Sequence, residues 1–300
     1  MTNQEIKESY QRNGYVVVEN IIYESELDPM RDFIKARVDK YAREQYAEGK
    51  LSSLYEAETF TRRYVAICKE QELMPRGWHL GSFGREYYDL YNLPRILNVL
   101  GILLGPEVSN IGGSALRTKL PDCEHTSYPW HQDSQYVDQS TIGKKERHTD
   151  HLHMVTVWVP LVEATIENGC CWVIPGSHRW GRLDGARGED SNVRMEEDVE
   201  ARGTPVPIPL KTGGAIFFSN LCVHCSKMNT TNDSRWSIDF RYFPTPERAA
   251  LDPEQRKAAD FVKNKTRPLI VLSKGPTTSF EEWETAHHNR HLSKISIHLA

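Results

Sequence analysis

Hydrophobic and polar positions change period along this chain near residue 107. Upstream the spacing is mostly helical. Leu27, Met30, Phe33, Ile34, Val38 and Tyr41 recur at intervals of three and four, which predicts an amphipathic helix. Ser25-Glu-Leu-Asp28 before them resembles a capping box with Asp in place of Glu, and the helix is expected to end near Gly49. Arg85 to Leu103 predicts a second helix, closed by Gly105, with Leu93, Ile96, Leu97, Leu100 and Leu104 as its apolar face. Gly14 to Glu19, with three consecutive valines, reads as a short strand.

Downstream the pattern is that of strands. Met154 to Leu161 is rich in β-branched and aromatic residues. Asn168-Gly169 predicts a hairpin turn leading into Cys171–Ile174, which ends at Pro175-Gly-Ser. Val206 to Leu210, Ala215 to Phe218 and Trp236 to Phe243 predict further short strands. Pro253 to Lys263 and Phe280 to Asn289 read as helical. Helices followed by a block of strands predict an α+β class with an all-β core, a sandwich or barrel. No repeat or linker divides the chain, so one domain is expected: an N-terminal part over about 1–106, a core over about 107–245 and a C-terminal extension over 246–300.

Composition narrows the function classes. Charged residues are 26% and hydrophobic residues 39%, a globular balance that sets aside collagen-like, coiled-coil and disordered chains. The net charge of −4 argues against a nucleic-acid partner. No apolar run approaches a membrane span, and the polar start has no secretory h-region, so a cytoplasmic protein without a membrane partner is expected. The six cysteines, two of them adjacent at Cys170-Cys171, then read as reduced thiols. Cys222-Val-His-Cys225 has the spacing of a zinc or redox motif, but no second pair completes it, and buried strand thiols are expected.

His131-Gln-Asp133 carries the chemistry. In an extended segment residues i and i+2 point to one side, so His131 and Asp133 can share a metal while Gln132 faces away. His224, on a later strand, is the expected third ligand. Two histidines and a carboxylate form the facial triad of non-haem Fe(II) oxygenases. A hairpin symmetric about residues 229 and 230 would set Arg235 directly opposite His224, with Ser237 on the same face. Arg and Ser together suit a carboxylate. A second ligand-rich stretch, His148-Thr-Asp150-His151-Leu-His153, follows a basic run and is read as a loop near the pocket mouth.

These motifs together resemble the phytanoyl-CoA dioxygenase family of Fe(II)- and 2-oxoglutarate-dependent oxygenases. Tyr10 to Glu19, Leu103-Leu-Gly105, Trp130-His-Gln-Asp133, Thr156 to Leu161 and Glu167 to His178 carry the resemblance, with His224 and Arg235-x-Ser237. One departure is Gly213-Gly214-Ala215, where relatives often have an acidic residue, and a structural role is expected for it. The resemblance implies a double-stranded β-helix, a jelly-roll cupin-like barrel, with N-terminal helices packed outside. It implies Fe(II) on His131, Asp133 and His224, and 2-oxoglutarate anchored by Arg235 and Ser237. Thr156 and Trp158 alternate onto one strand face and are expected in the cosubstrate pocket. With O₂, such an enzyme oxidises a C–H bond of a small substrate, such as an acyl-CoA, a polar metabolite or a natural-product intermediate, and releases succinate and CO₂. The rival readings are a Zn or Mn barrel isomerase or hydrolase, and a binding barrel without catalysis. Residues 50–85, 134–152 and 180–203 are expected to choose the substrate, and Arg76, Trp78 and His79 within them carry no assigned role.

Overall fold

The computed structural model describes residues 1–72, 84–137, 153–190, 192–246 and 269–291. Pro253 to Lys263, Arg76, Trp78, His79, His148 and His151 fall outside these residues.

The chain opens with α1 (Asn3–Asn13), which the apolar spacing did not announce. Its start is fixed by a reciprocal cap: the Thr2 hydroxyl accepts the Glu5 N–H, and the Glu5 carboxylate accepts the Thr2 N–H. Gly14, in the left-handed region at φ 81°, ends it and leads into β1 (Tyr15–Val18). The long helix α2 spans Glu24–Ala47 and buries Leu27, Met30, Ile34, Val38 and Tyr41. Its cap lies earlier than Ser25-Glu-Leu-Asp28 suggested. Glu26 accepts the Tyr23 N–H at 2.7 Å, so Ser25 and Asp28 are already inside the helix.

After α3 (Arg63–Gln71), the single helix expected from Arg85 to Leu103 is two, α4 (Arg85–Tyr91) and α5 (Pro94–Leu104). Pro94 is the cause. It disfavours helical ψ at the residue before it, and Leu93 accordingly sits at ψ 120°.

The strands β2 (Val108–Lys119), β4 (Val155–Pro160), β9 (Ala215–Ser219), β11 (Arg235–Pro244) and β12 (Leu269–Leu272) join β1 in a six-stranded antiparallel sheet, ordered β1-β9-β4-β11-β2-β12. A second sheet has the order β3-β10-β5-β8, from Tyr128–His131, His224–Ser226, Cys171–Val173 and Val206–Ile208. A small hairpin pairs β6 (Gly185–Arg187) with β7 (Val193–Met195). The described fold is thus mixed helix and antiparallel sheet.

Two sequence expectations change here. Asn168-Gly169 does make a turn, with Gly169 at φ 80°, but not a hairpin: β4 lies in the large sheet and β5 in the small one. Nor do residues 227–234 join paired strands. β10 pairs with β3 and β5, whereas β11 pairs with β2 and β4, so Arg235 stands opposite Lys119 rather than His224. The connection is too long for a tight turn and is fastened as a crossover. Asn229 donates to the Lys119 and Asp233 carbonyls, and Lys119 Nζ, which burial and the neighbouring Arg235 push towards its neutral form, donates to the Lys227 carbonyl at 2.6 Å.

β11 shows how the core positions the site. Trp236, Ile238, Phe240 and Tyr242 face the helices, where Trp236 meets Phe60 and Tyr64, and Phe240 meets Tyr91 edge-on at 4.7 Å. Arg235, Ser237, Asp239 and Arg241 alternate onto the opposite face, and every residue of the strand is buried. Truncating an aromatic residue such as Trp236 would cost about 3–5 kcal/mol. The polar row is therefore fixed to a rigid layer.

Gly213 ties the core to the N-terminal part of the chain. Its carbonyl accepts the Ile21 and Ile22 N–H groups, its φ is +83°, and a Cβ there would lie 2.6 Å from the Ile22 carbonyl oxygen. Gly213 is thus needed by the backbone.

Candidate metal and carboxylate site

A cavity between the two sheets is lined by His131, Asp133 and His224 on one side and by Thr156, Trp158, Arg235 and Arg241 on the other. One ligand atom from each of His131, Asp133 and His224 falls within 4.8 Å of the others. All three residues are buried. No other such group occurs among the described residues.

Local backbone chemistry aims each ligand. His224 and His131 are direct cross-strand partners, with ring centroids 4.2 Å apart. Between them and the next pair, Ser226 with Tyr128, the register slips by a residue on β3, at Pro129-Trp130. Pro has no N–H for the ladder and is tolerated at such bulges. The Pro129 carbonyl faces His131 Nδ1 at 2.7 Å, and the Cys222 carbonyl faces His224 Nδ1 at 2.9 Å. Each Nδ1 is thereby the protonated nitrogen, which leaves each Nε2 with a free lone pair for a metal. Gln132 points away, as the alternation requires, and its amide donates to the Gly181 and Leu221 carbonyls.

The electrostatics suit a cation. Burial pushes His131 down to about 3, helped by the neighbouring His224, so its ring is neutral. Burial alone would raise Asp133. The Arg241 guanidinium, the two histidines and the Thr156 hydroxyl outweigh it and hold the carboxyl well below the usual range. Thr156 donates to one carboxylate oxygen and Arg241 to the other, the latter at 3.0 Å.

Farther along β11, Arg235 Nη1 donates to Ser237 Oγ at 2.8 Å, and its guanidinium carbon lies 5.2 Å from the Trp158 ring centroid. Arg235 Nε and Ser226 Oγ, both from residues that line this cavity, are buried without a hydrogen-bond partner. Buried donors left unsatisfied are costly. A carboxylate that reached both would satisfy them. Ser226 follows His224 by two residues in β10, so the same alternation that linked His131 with Asp133 could have revealed it. Arg241 was also missed, and its signal was the period of β11.

The cysteines are all free, and those of Cys222-Val-His-Cys225 are buried thiols in and beside β10. Of the His148–His153 stretch only His153 is described.

The phytanoyl-CoA dioxygenase (PhyH) family model matches residues 10–237. A zebrafish (Danio rerio) relative, phytanoyl-CoA dioxygenase domain-containing protein 1, is 25% identical over 288 residues, covering 85% of this chain and 94% of its own. Among solved structures, the apo form of the non-haem monooxygenase ThoJ is similar with a TM-score of 0.57, at 21% identity over 90% of this chain and 84% of that one. The epimerase SnoN in complex with Fe³⁺, α-ketoglutarate and nogalamycin RO gives 0.52, at 19% identity over 81% and 83%. The chain belongs to the phytanoyl-CoA dioxygenase family and is a non-haem iron, 2-oxoglutarate-dependent oxygenase.

Proposed function

We propose that His131, Asp133 and His224 hold Fe(II), and that Arg235, Ser237 and Ser226 grip the far carboxylate of 2-oxoglutarate over the Trp158 ring. The observation that carries this reading is the convergence of the three ligand atoms within 4.8 Å in a wall shared with Arg235 and Ser226. Iron with 2-oxoglutarate and O₂ supplies oxidation of an unactivated C–H bond, with release of succinate and CO₂. The chain's own residues orient and exclude. Arg235 selects the cosubstrate by its fork, Arg241 and Thr156 hold Asp133 in place for the metal, and Phe218, stacked on His224 at 4.9 Å, shields that ring.

The outcome we favour is hydroxylation of a small organic substrate by a single catalytic domain with a jelly-roll barrel, the double-stranded β-helix, working in the cytoplasm. Epimerisation is the second outcome, since SnoN, an epimerase that holds Fe³⁺ and α-ketoglutarate, has a similar fold. A barrel isomerase or hydrolase would have no use for the Arg235–Ser237 pair.

An anaerobic titration with Fe(II) and 2-oxoglutarate tests the reading. A visible charge-transfer band is expected, followed by succinate once oxygen is admitted. No band at saturating concentrations would sink it.

A further inference from the structure

Asp239 Oδ2 accepts from Arg117 Nε at 2.7 Å, and Asp239 Oδ1 lies 3.0 Å from Arg241 Nη1. One carboxylate therefore serves two guanidinium groups. Among the described residues that line the inner cavity, the fixed charges are Arg117, Arg235 and Arg241 against Asp133 and Asp239. One positive charge is in excess. Fe(II) would add two and dianionic 2-oxoglutarate would remove two, so the excess persists in the loaded enzyme. A net charge in a largely buried cavity is unfavourable unless a partner neutralises it.

The three cations differ in where they stand. Arg235 is 2% exposed and Arg241 4%, whereas the Arg117 side chain is 26% exposed. The Arg117 guanidinium lies 4.3 Å from the Tyr128 ring centroid. Tyr128 is a wall of the inner cavity and also of an outer groove of about 660 Å³, whose charged lining is Glu124, Glu189, Asp190, Arg194 and Lys227, with Arg194 paired to Asp190. Arg117 thus stands where the groove meets the metal site. Bonding to Asp239 through Nε leaves its terminal nitrogens, with most of the group's N–H donors, for Tyr128 and for an incoming molecule.

We propose that Arg117 is a specificity-determining residue that binds a carboxylate of the prime substrate, so that the enzyme acts on monoanionic carboxylic acids entering through the outer groove. The inference rests on the iron and 2-oxoglutarate reading above. Asp239 and Tyr128 are positioning residues, which hold the guanidinium plane from two sides. A monocarboxylate cancels the residual charge and matches the fork of an arginine. A neutral molecule leaves the excess in place, and a phosphate monoester overshoots it.

The test is anaerobic calorimetry on the enzyme loaded with Fe(II) and saturating 2-oxoglutarate, with the charge-transfer band followed in parallel. The probes are acetate, benzoate and octanoate, each beside its amide, and phenyl phosphate. At least one carboxylate should bind ten or more times as tightly as its amide and shift the band without bleaching it. Arg117→Gln should still form the band but erase that preference, and Arg117→Lys should restore part of it. The proposal is overturned by no carboxylate preference in the wild type, by tighter binding of phenyl phosphate, or by a preference that survives Arg117→Gln. It is also overturned by bleaching, which means displacement of 2-oxoglutarate. If Arg117→Gln forms the band only at tenfold more 2-oxoglutarate, the residue belongs to the cosubstrate seat instead. Absence of the band in the wild type, before any probe is added, marks failure of the underlying function and takes this proposal with it.

Discussion

Arg241 Nη2 lies 3.0 Å from Oδ1 of Asp133, and this pair joins the large sheet to the segment that follows β3 in the small one. Both side chains are almost wholly buried. Arg241→Met would strand a buried carboxylate. Removing one partner of such a pair costs about 3–5 kcal/mol. Urea denaturation should show that loss, and Asp133→Asn in the Arg241→Met background should recover part of it. A wild-type midpoint in the single variant would mean that the pair contributes nothing.

Acid should weaken the metal-free protein in a defined window. His131 is held near 3 by burial and by His224, whereas an unfolded histidine titrates near about 6.5. Between those values the unfolded chain binds the extra proton. Stability is therefore complete above about pH 6.5 and falls as the pH drops, by up to about 1.4 kcal/mol per unit for this group. Asp133, also depressed, adds a loss of the same sign below about pH 4. Denaturation midpoints measured in chelator from pH 7.5 to 4.5 should slope downward, and His131→Gln should flatten the upper part. An unchanged slope in that variant would assign the proton elsewhere.

Metal binding separates the two histidine-rich stretches. His131→Ala and His224→Ala should each abolish Fe(II) binding in equilibrium dialysis, since two protein ligands hold a divalent ion poorly. His148→Ala, His151→Ala and His153→Ala should keep it. Iron lost from one of the latter three would move the centre.

Cosubstrate affinity should report Arg235 and Ser226 separately. Arg235→Ala removes one half of a charge pair, about 2–5 kcal/mol, or roughly 30-fold to several-thousand-fold in the 2-oxoglutarate needed to form the band. Ser226→Ala removes one hydrogen bond to a charged group, about 1.5–3 kcal/mol, or roughly 10- to 150-fold. Iron should remain bound in both. If Ser226→Ala titrates like the wild type, its hydroxyl lies outside the seat.

Much of this candidate site was legible in the chain because the residues that line it obey short periodicities. His131 and Asp133 fall on one side of an extended segment, as do Arg235 and Ser237, and Thr156 and Trp158. What could not be read was which strands pair. A polar stretch of eight residues between His224 and Arg235 suits a hairpin and a crossover alike. The choice was made by Asn229 and Lys119, which bind that stretch to a distant strand. Arg241 and Asp239 were hidden for another reason. Alternation of polar and apolar residues usually means that one face meets water, and in β11 both faces are buried, with the polar one turned to the cavity. The split at Pro94 was legible, since a proline inside a helical pattern marks the boundary just before it.

The crossover at 227–234 also has a mechanical consequence. It carries the chain from the small sheet, which bears His131 and His224, to the large one, which bears Arg235 and Arg241. A molecule spanning iron and Arg235 would act as a tie-rod between the two layers, and the protein without it lacks that brace. Ligand-linked stabilisation follows from mass action, and here its direction is set by the architecture. Amide exchange should slow most in β3, β10 and β11, on both sides of the gap, when 2-oxoglutarate is added to the iron-loaded protein.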